Sequence, residues 1–205
     1  ACGKEVSTTP TSPPVPTDTS LPITPPPTAI PTSNPAAVVF PADPERSGSY
    51  AQSGDFGEWA FNAGSPVVSS PILAGNTLYF GTMTGDFFAL DPITQKVRWQ
   101  VAIPSAIFSS PAVADGLVYF GGMDGSLYAL DAVSGEERWK FPTTPPIFSS
   151  PTVWDGLVFF GGTDGNVYAL DALTGSKKWE YKITPELVSS PLVVDGTLLI
   201  GARNS

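Results

Sequence analysis

Histidine is absent from all 205 residues, and cysteine occurs once, at Cys2. The first absence excludes a Ser-His-Asp triad, a Cys-His dyad and a His-ligated zinc centre within these residues. The second excludes an intrachain disulfide. Positive charge is scarce: ten Lys and Arg stand against 19 Asp and Glu, a net charge of −9. A surface of that sign repels phosphate backbones, so no nucleic-acid partner is expected. No run of 18 apolar residues occurs, which leaves no candidate membrane-spanning helix. A hydrophobic stripe of helical period is missing as well, so the foldable part reads as all-β.

What is present divides the chain in two. Residues 7–45 hold most of the prolines, with Thr and Ser between them and no sustained apolar pattern. Such a stretch cannot bury enough surface to offset its own ordering entropy, and residues 1–45 are expected to form a disordered, polyproline-like tether. At its head Ala1-Cys2-Gly3 resembles the end of a bacterial lipobox, in which a small residue precedes the cysteine that receives lipid. That resemblance implies lipidation at Cys2, a membrane partner through the anchor, and an extracytoplasmic place in the bacterial cell envelope.

Residues 46–205 are built on a forty-residue period. Ser69-Ser70-Pro71, Ser109-Ser110-Pro111, Ser149-Ser150-Pro151 and Ser189-Ser190-Pro191 mark it, and so do Trp59, Trp99, Trp139 and Trp179. Units 69–108, 109–148 and 149–188 are complete, and a fourth, 189–205, is partial. In the middle unit, Asp115-Gly116, Asp124-Gly125 and Ser134-Gly135 separate four short runs of β-branched and aromatic residues. Asp-Gly and Ser-Gly pairs supply the positive-φ positions of tight hairpins, so each unit reads as a four-stranded antiparallel meander. Gly57 to Asn62 aligns with the fourth run and is expected to be the outer strand of another unit. One such sheet cannot hide both faces alone, whereas stacked copies bury each other, the logic of a β-propeller. The last unit leaves an unpaired edge and face, so the 205 residues are expected to be marginally stable or prone to association.

Within each unit, Ala-x-Asp-x-x-Thr/Ser-Gly-x-x-x-Trp recurs. It consists of Ala129, Asp131, Gly135 and Trp139, then Ala169, Asp171, Gly175 and Trp179, with Ala89, Asp91 and Trp99 as a first version in which Gln95 replaces the glycine. The residue chemistry is structural: a small Ala beneath a ring, an Asp taking turn amides, a Gly in a left-handed turn, a Trp filling a seam. This pattern, with Ser-Ser-Pro and Tyr/Phe-Phe-Gly-Gly, resembles the tryptophan-docking motif of quinoprotein (PQQ-type) β-propellers over about residues 57–201. The resemblance implies blades of a ring of seven or eight, and the chain looks like the N-terminal piece of a longer protein. The family includes PQQ-dependent dehydrogenases and the BamB lipoproteins of outer-membrane assembly.

No catalytic or metal-ligating residue is assigned. Carboxylates stamped on every repeat, Asp91, Asp131, Asp171 and Asp115, Asp155, Asp195, suit turn capping better than a singular acid or base. Asp124 and Asp164 lack the ligand density of a calcium loop. Ser70, Ser110, Ser150 and Ser190 are expected to start the innermost strands, either as a polar channel rim or as partners for crowded backbone groups. Pro104–Phe108, Pro145–Phe148 and Pro185–Val188 are expected in loops at the opposite end, buried between blades or exposed to a protein partner. Trp154, off the register, is a further candidate contact. The leading reading is a non-catalytic scaffold of BamB type that binds envelope or surface proteins. The alternative is the front part of a PQQ-dependent alcohol or sugar dehydrogenase, for which alone PQQ and calcium would be cofactors. A sensor ectodomain is a third possibility.

Overall fold

The computed structural model describes residues 37–39, 60–183 and 186–202. The expected tether, Cys2 and Trp59 lie outside the described residues, apart from three residues of the former. Among the described residues there is no helix, and three four-stranded antiparallel sheets follow one another in chain order. The first is β3 (Ile72–Ala74), β4 (Thr77–Gly81), β5 (Asp86–Asp91) and β6 (Lys96–Ala102). The second is β7 (Ala112–Ala114), β8 (Leu117–Gly121), β9 (Ser126–Asp131) and β10 (Glu137–Pro142). The third is β11 (Thr152–Trp154), β12 (Leu157–Gly161), β13 (Asn166–Asp171) and β14 (Lys177–Lys182). Two half-sheets flank them: β1 (Ala37–Val39) with β2 (Ala60–Asn62), and β15 (Leu192–Val194) with β16 (Thr197–Leu199). The fold is an incomplete β-propeller of three whole blades and two halves.

Turn chemistry sets the meander. Asp115 and Gly116 hold φ of 51° and 77°, the double left-handed geometry whose twist matches that of the flanking strands. Asp155-Gly156 and Asp195-Gly196 repeat it. Between the third and fourth strands the register shifts, at Ala89/Leu90, between Glu137 and Trp139, and at Ala169/Leu170. This bulge twists the outer strand locally, at the start of the stretch that carries the tryptophan.

Burial follows position in the blade. The second strands β4 and β8 are buried along their whole length, because a neighbouring blade covers each face, and they read as unbroken apolar runs such as Leu117-Val118-Tyr119-Phe120-Gly121. The outer strands β6 and β10 alternate, as in Glu137-Arg138-Trp139-Lys140-Phe141, with ring residues half-buried and charged residues in solvent, whereas β14 is exposed throughout. One core lies in each seam. Phe87 of the first blade stacks on Phe120 of the second at 4.1 Å between centroids, a pair contributing about 0.5–1.5 kcal/mol beyond its area. Gly121 makes room for the next loop: a Cβ there would lie 2.4 Å from Ile147 Cγ2. Glycine at that place is a matter of space.

Candidate functional site

Each repeated motif residue has a definite place. Asp131 Oδ1 accepts the amides of Val133 and Ser134 at 3.0 and 2.9 Å, and its Oδ2 accepts from Arg138 Nη2 at 2.8 Å. Those turn amides and the Arg138 guanidinium pull the Asp131 carboxyl down to about 2. Asp91 takes Ile93, Thr94 and Arg98 in the same way, and Asp171 takes Thr174 and Lys178. Both are held below the ordinary carboxylate range, Asp91 first by the Thr94 amide and Asp171 first by the Thr174 hydroxyl.

The tryptophans reach across the seams. Trp99 Nε1 donates to Ala132 O of the next blade at 3.1 Å, and Trp139 Nε1 to Ala172 O at 2.9 Å. Tyr79 and Tyr119 hydroxyls donate to the same two carbonyls. Burial pushes the Tyr119 phenol up to about 12, so it stays a donor. Gly135 and Gly175 sit under the preceding blade's indole: a Cβ on either would come within 2.7 Å of the Trp99 or Trp139 ring. Ala89, Ala129 and Ala169 are fully buried opposite Trp99, Trp139 and Trp179 in strand register.

The two serines of each pair act differently. Ser109 is buried; its hydroxyl donates to Gly121 O at 3.0 Å and accepts the Gly121 amide at 2.6 Å, closing the end of its own blade. Ser69 does the same with Gly81. The second serine links blades. Ser70 N–H donates to Ser110 Oγ, Ser110 N–H to Ser150 Oγ, and Ser150 N–H to Ser190 Oγ, at 2.8, 2.8 and 2.9 Å. The relay stands just before the first strands β7, β11 and β15, which lie side by side across blades.

The apolar loops before these serines lie at the same end, not the opposite one. Ile107 N–H bonds Thr82 O and Met123 N–H bonds Ala106 O, which ties the loops to the turns between second and third strands where Ser109 also bonds. Their residues divide by parity. Ile107, Ile147 and Leu187 are buried in the seams. Phe148 and Val188 point outward with Val68, and the rings of half-buried Phe108 and Phe148 meet at 5.7 Å. Trp154 lies at the other end, its Cη2 3.4 Å from where a Cβ on Gly196 would stand.

One cluster is not evident from the repeat alone. Tyr128 OH donates to Asp124 Oδ2 at 2.6 Å, while Lys140 Nζ donates to both, at 2.8 Å to the phenol and 3.0 Å to the carboxylate. Partial burial raises Asp124, yet the bonds from Tyr128 and Lys140 outweigh it and hold the carboxyl below its usual range. Burial and Asp124 raise the phenol, and Tyr128 raises the lysine. The trio is therefore fixed as phenol, carboxylate and ammonium, a corner brace between strands with no proton poised for transfer. Tyr168 and Asp164 repeat the bond in the third blade, with Asn166 in place of the ammonium. The Asp-Gly-x-x-Tyr spacing was the available signal.

Repeating blades with an indole docked on the next turn define a PQQ-like β-propeller. The family model described as outer membrane protein assembly factor BamB matches residues 46–205, and the chain belongs to that family. Among solved structures, BamB from Moraxella catarrhalis is 28% identical at a TM-score of 0.63, over 68% of this chain and 45% of that one. A europium-containing methanol dehydrogenase is 25% identical at a TM-score of 0.56, over 62% and 27%. The computationally designed Ika4 protein shares the fold at 19% identity and a TM-score of 0.62, over 68% and 86%. The chain thus spans less than half the length of the natural proteins it matches here. No curated protein sequence matches it.

Proposed function

We propose that the chain is a non-catalytic binding module of an extracytoplasmic, cell-envelope lipoprotein, working as BamB-type outer-membrane assembly factors do by presenting loops to protein partners. The observation that carries this is the loop row beside the serine relay. There the motif turns aliphatic anchors into the seams and sets Val68, Phe108, Phe148 and Val188 on one outer surface. Exposed apolar side chains in register on a rigid scaffold suit a protein contact. The recurrent carboxylates serve the turns, the paired serines bond backbone, and burial holds the phenols of Tyr79, Tyr119, Tyr128 and Tyr168 protonated.

Likeness to a methanol dehydrogenase favours a second reading, an enzyme that holds PQQ and calcium. Calorimetric titration of the chain with PQQ and calcium separates the two. We expect no heat beyond dilution; tight, stoichiometric, calcium-dependent binding would replace the scaffold with a quinoprotein. The lipid anchor at Cys2 is tested apart from this, by mass spectrometry of membrane-extracted protein. A diacylglyceryl mass on the Cys2 peptide is expected, and an unmodified thiol rules the anchor out.

A further inference from the structure

Each whole blade has a turn between its second and third strands, at the end where the serine pairs lie, and one position of that turn changes from blade to blade. Met83, Met123 and Thr163 occupy it one period apart, in Thr82-Met83-Thr84-Gly85, Gly122-Met123-Asp124-Gly125 and Gly162-Thr163-Asp164-Gly165. The turn itself does not require a thioether, since the Thr163 hydroxyl donates to Pro146 O at 2.9 Å, a bond methionine cannot make. A residue that one unit dispenses with answers something other than the common fold. Met83 and Met123 are the two methionines of the 205 residues, and neither belongs to the buried core of a seam.

Both turns are fastened to the loops that carry the outward row. Met83 N–H donates to Pro66 O at 3.0 Å, two residues before Val68, and Met123 N–H donates to Ala106 O at 3.0 Å, two residues before Phe108. Met83 is 44% exposed, as open as Val68 at 43%, and Met123 is half-buried. The row thus has two thioethers beside it, on adjacent blades. An unbranched thioether adapts to apolar partners of varied shape, and it is also readily oxidised to a polar sulfoxide.

We propose that Met83 and Met123 are oxidation sites, and that their sulfoxides make this face release an apolar protein partner. The inference rests on the reading of the loop row as a protein contact. The co-reactant is a hydroperoxide. A sulfur lone pair attacks one peroxide oxygen, an S–O bond forms as the O–O bond breaks, and the departing oxygen leaves as water after taking up the proton. Sulfur gives up two electrons and the peroxide gains them. A sulfoxide pressed against an apolar partner loses its water without gaining a hydrogen bond, so the contact weakens. Sulfoxide reductases, one for each epimer, restore the thioether. With both methionines outside the seams, the change falls on the surface and leaves the blades intact.

Retention on a phenyl-agarose column tests this, the phenyl matrix standing for an apolar partner. The 205-residue chain carries Cys2→Ser throughout, so that its thiol takes no part. Phe148→Ser tests the row by itself: earlier elution is expected, and unchanged retention would remove the contact surface and this inference with it. Hydrogen peroxide is then expected to add one oxygen to the Met83 peptide and one to the Met123 peptide. Retention should shorten by an amount comparable to that of Phe148→Ser, with an unaltered far-UV spectrum, and the two reductases together should restore it. Met83→Leu with Met123→Leu keeps an apolar side chain at both positions and should hold its retention through the same treatment. Once Phe148→Ser has eluted early, three results overturn the switch alone: peptides that gain no oxygen, an oxidised chain retained as before, or a doubly substituted chain that loses as much retention. Loss of the β spectrum on oxidation overturns it as well, because the methionines would then be holding the fold.

Discussion

Asp131 shows how a repeated carboxylate earns its place without chemistry. Its two oxygens take two turn amides and a guanidinium, and the fold therefore favours the charged form down to about pH 2. The sign of the linkage follows. A carboxyl whose folded value lies below its unfolded one stabilises fully above the unfolded value, near 4, and loses that contribution as pH falls towards 2. Asp131→Asn keeps an acceptor for Val133 and Ser134 but cannot titrate. Its denaturation midpoint, followed from pH 5 to pH 2, is expected to fall less steeply than that of the unaltered chain. Parallel acid limbs would show that Asp131 is not linked to acid unfolding. The sequence marks such residues by repetition, since a group present in every unit answers a need of every unit. It does not mark Asp124 so clearly, because the partners Tyr128 and Lys140 meet it only after the second, third and fourth strands pair.

At the scale of the element, the turn between third and fourth strands and the indole above it form one device. Gly135 has φ of 76° and no space for a Cβ beneath Trp99, whereas Gly116 has φ of 77° and nothing within 4 Å. The two glycines separate backbone strain from crowding. Gly116→Ala is expected to destabilise by about 1 kcal/mol, the left-handed cost alone. Gly135→Ala adds displacement of a packed ring, and about 3 kcal/mol in all is expected. Urea midpoints of the two variants check this, and equal losses would mean that the indole yields freely. Strands, turns and period were legible because Asp-Gly pairs and unbroken apolar runs alternate along the chain. The side of the blade on which the apolar loops emerge was not. The loops run directly into the serine pairs, which places both at one end, and the parity that buries Ile107 and turns Phe108 outward depends on a seam only the assembled blades create.

At the scale of the molecule, stacking accounts for the fold and leaves function to surfaces. Three seams of the same kind bury the second and third strands, which is why a single chain with one period discloses a propeller. The likeness extends to a BamB and to a dehydrogenase alike because both use that stacking, and fold by itself does not choose between them. What chooses is local: the outward loop row and whatever meets it.

The serine relay has a direction. Each amide gives to the hydroxyl of the following blade and never to the preceding one. A hoop made this way has the same two loose ends however many links it holds, here the Ser70 oxygen and the Ser190 amide among the described residues. Copying a forty-residue unit into its middle would move those ends apart and add none. A gene that lengthens by tandem duplication therefore meets no new unsatisfied group at the axis with each copy, and the last link, joined to the first, removes both.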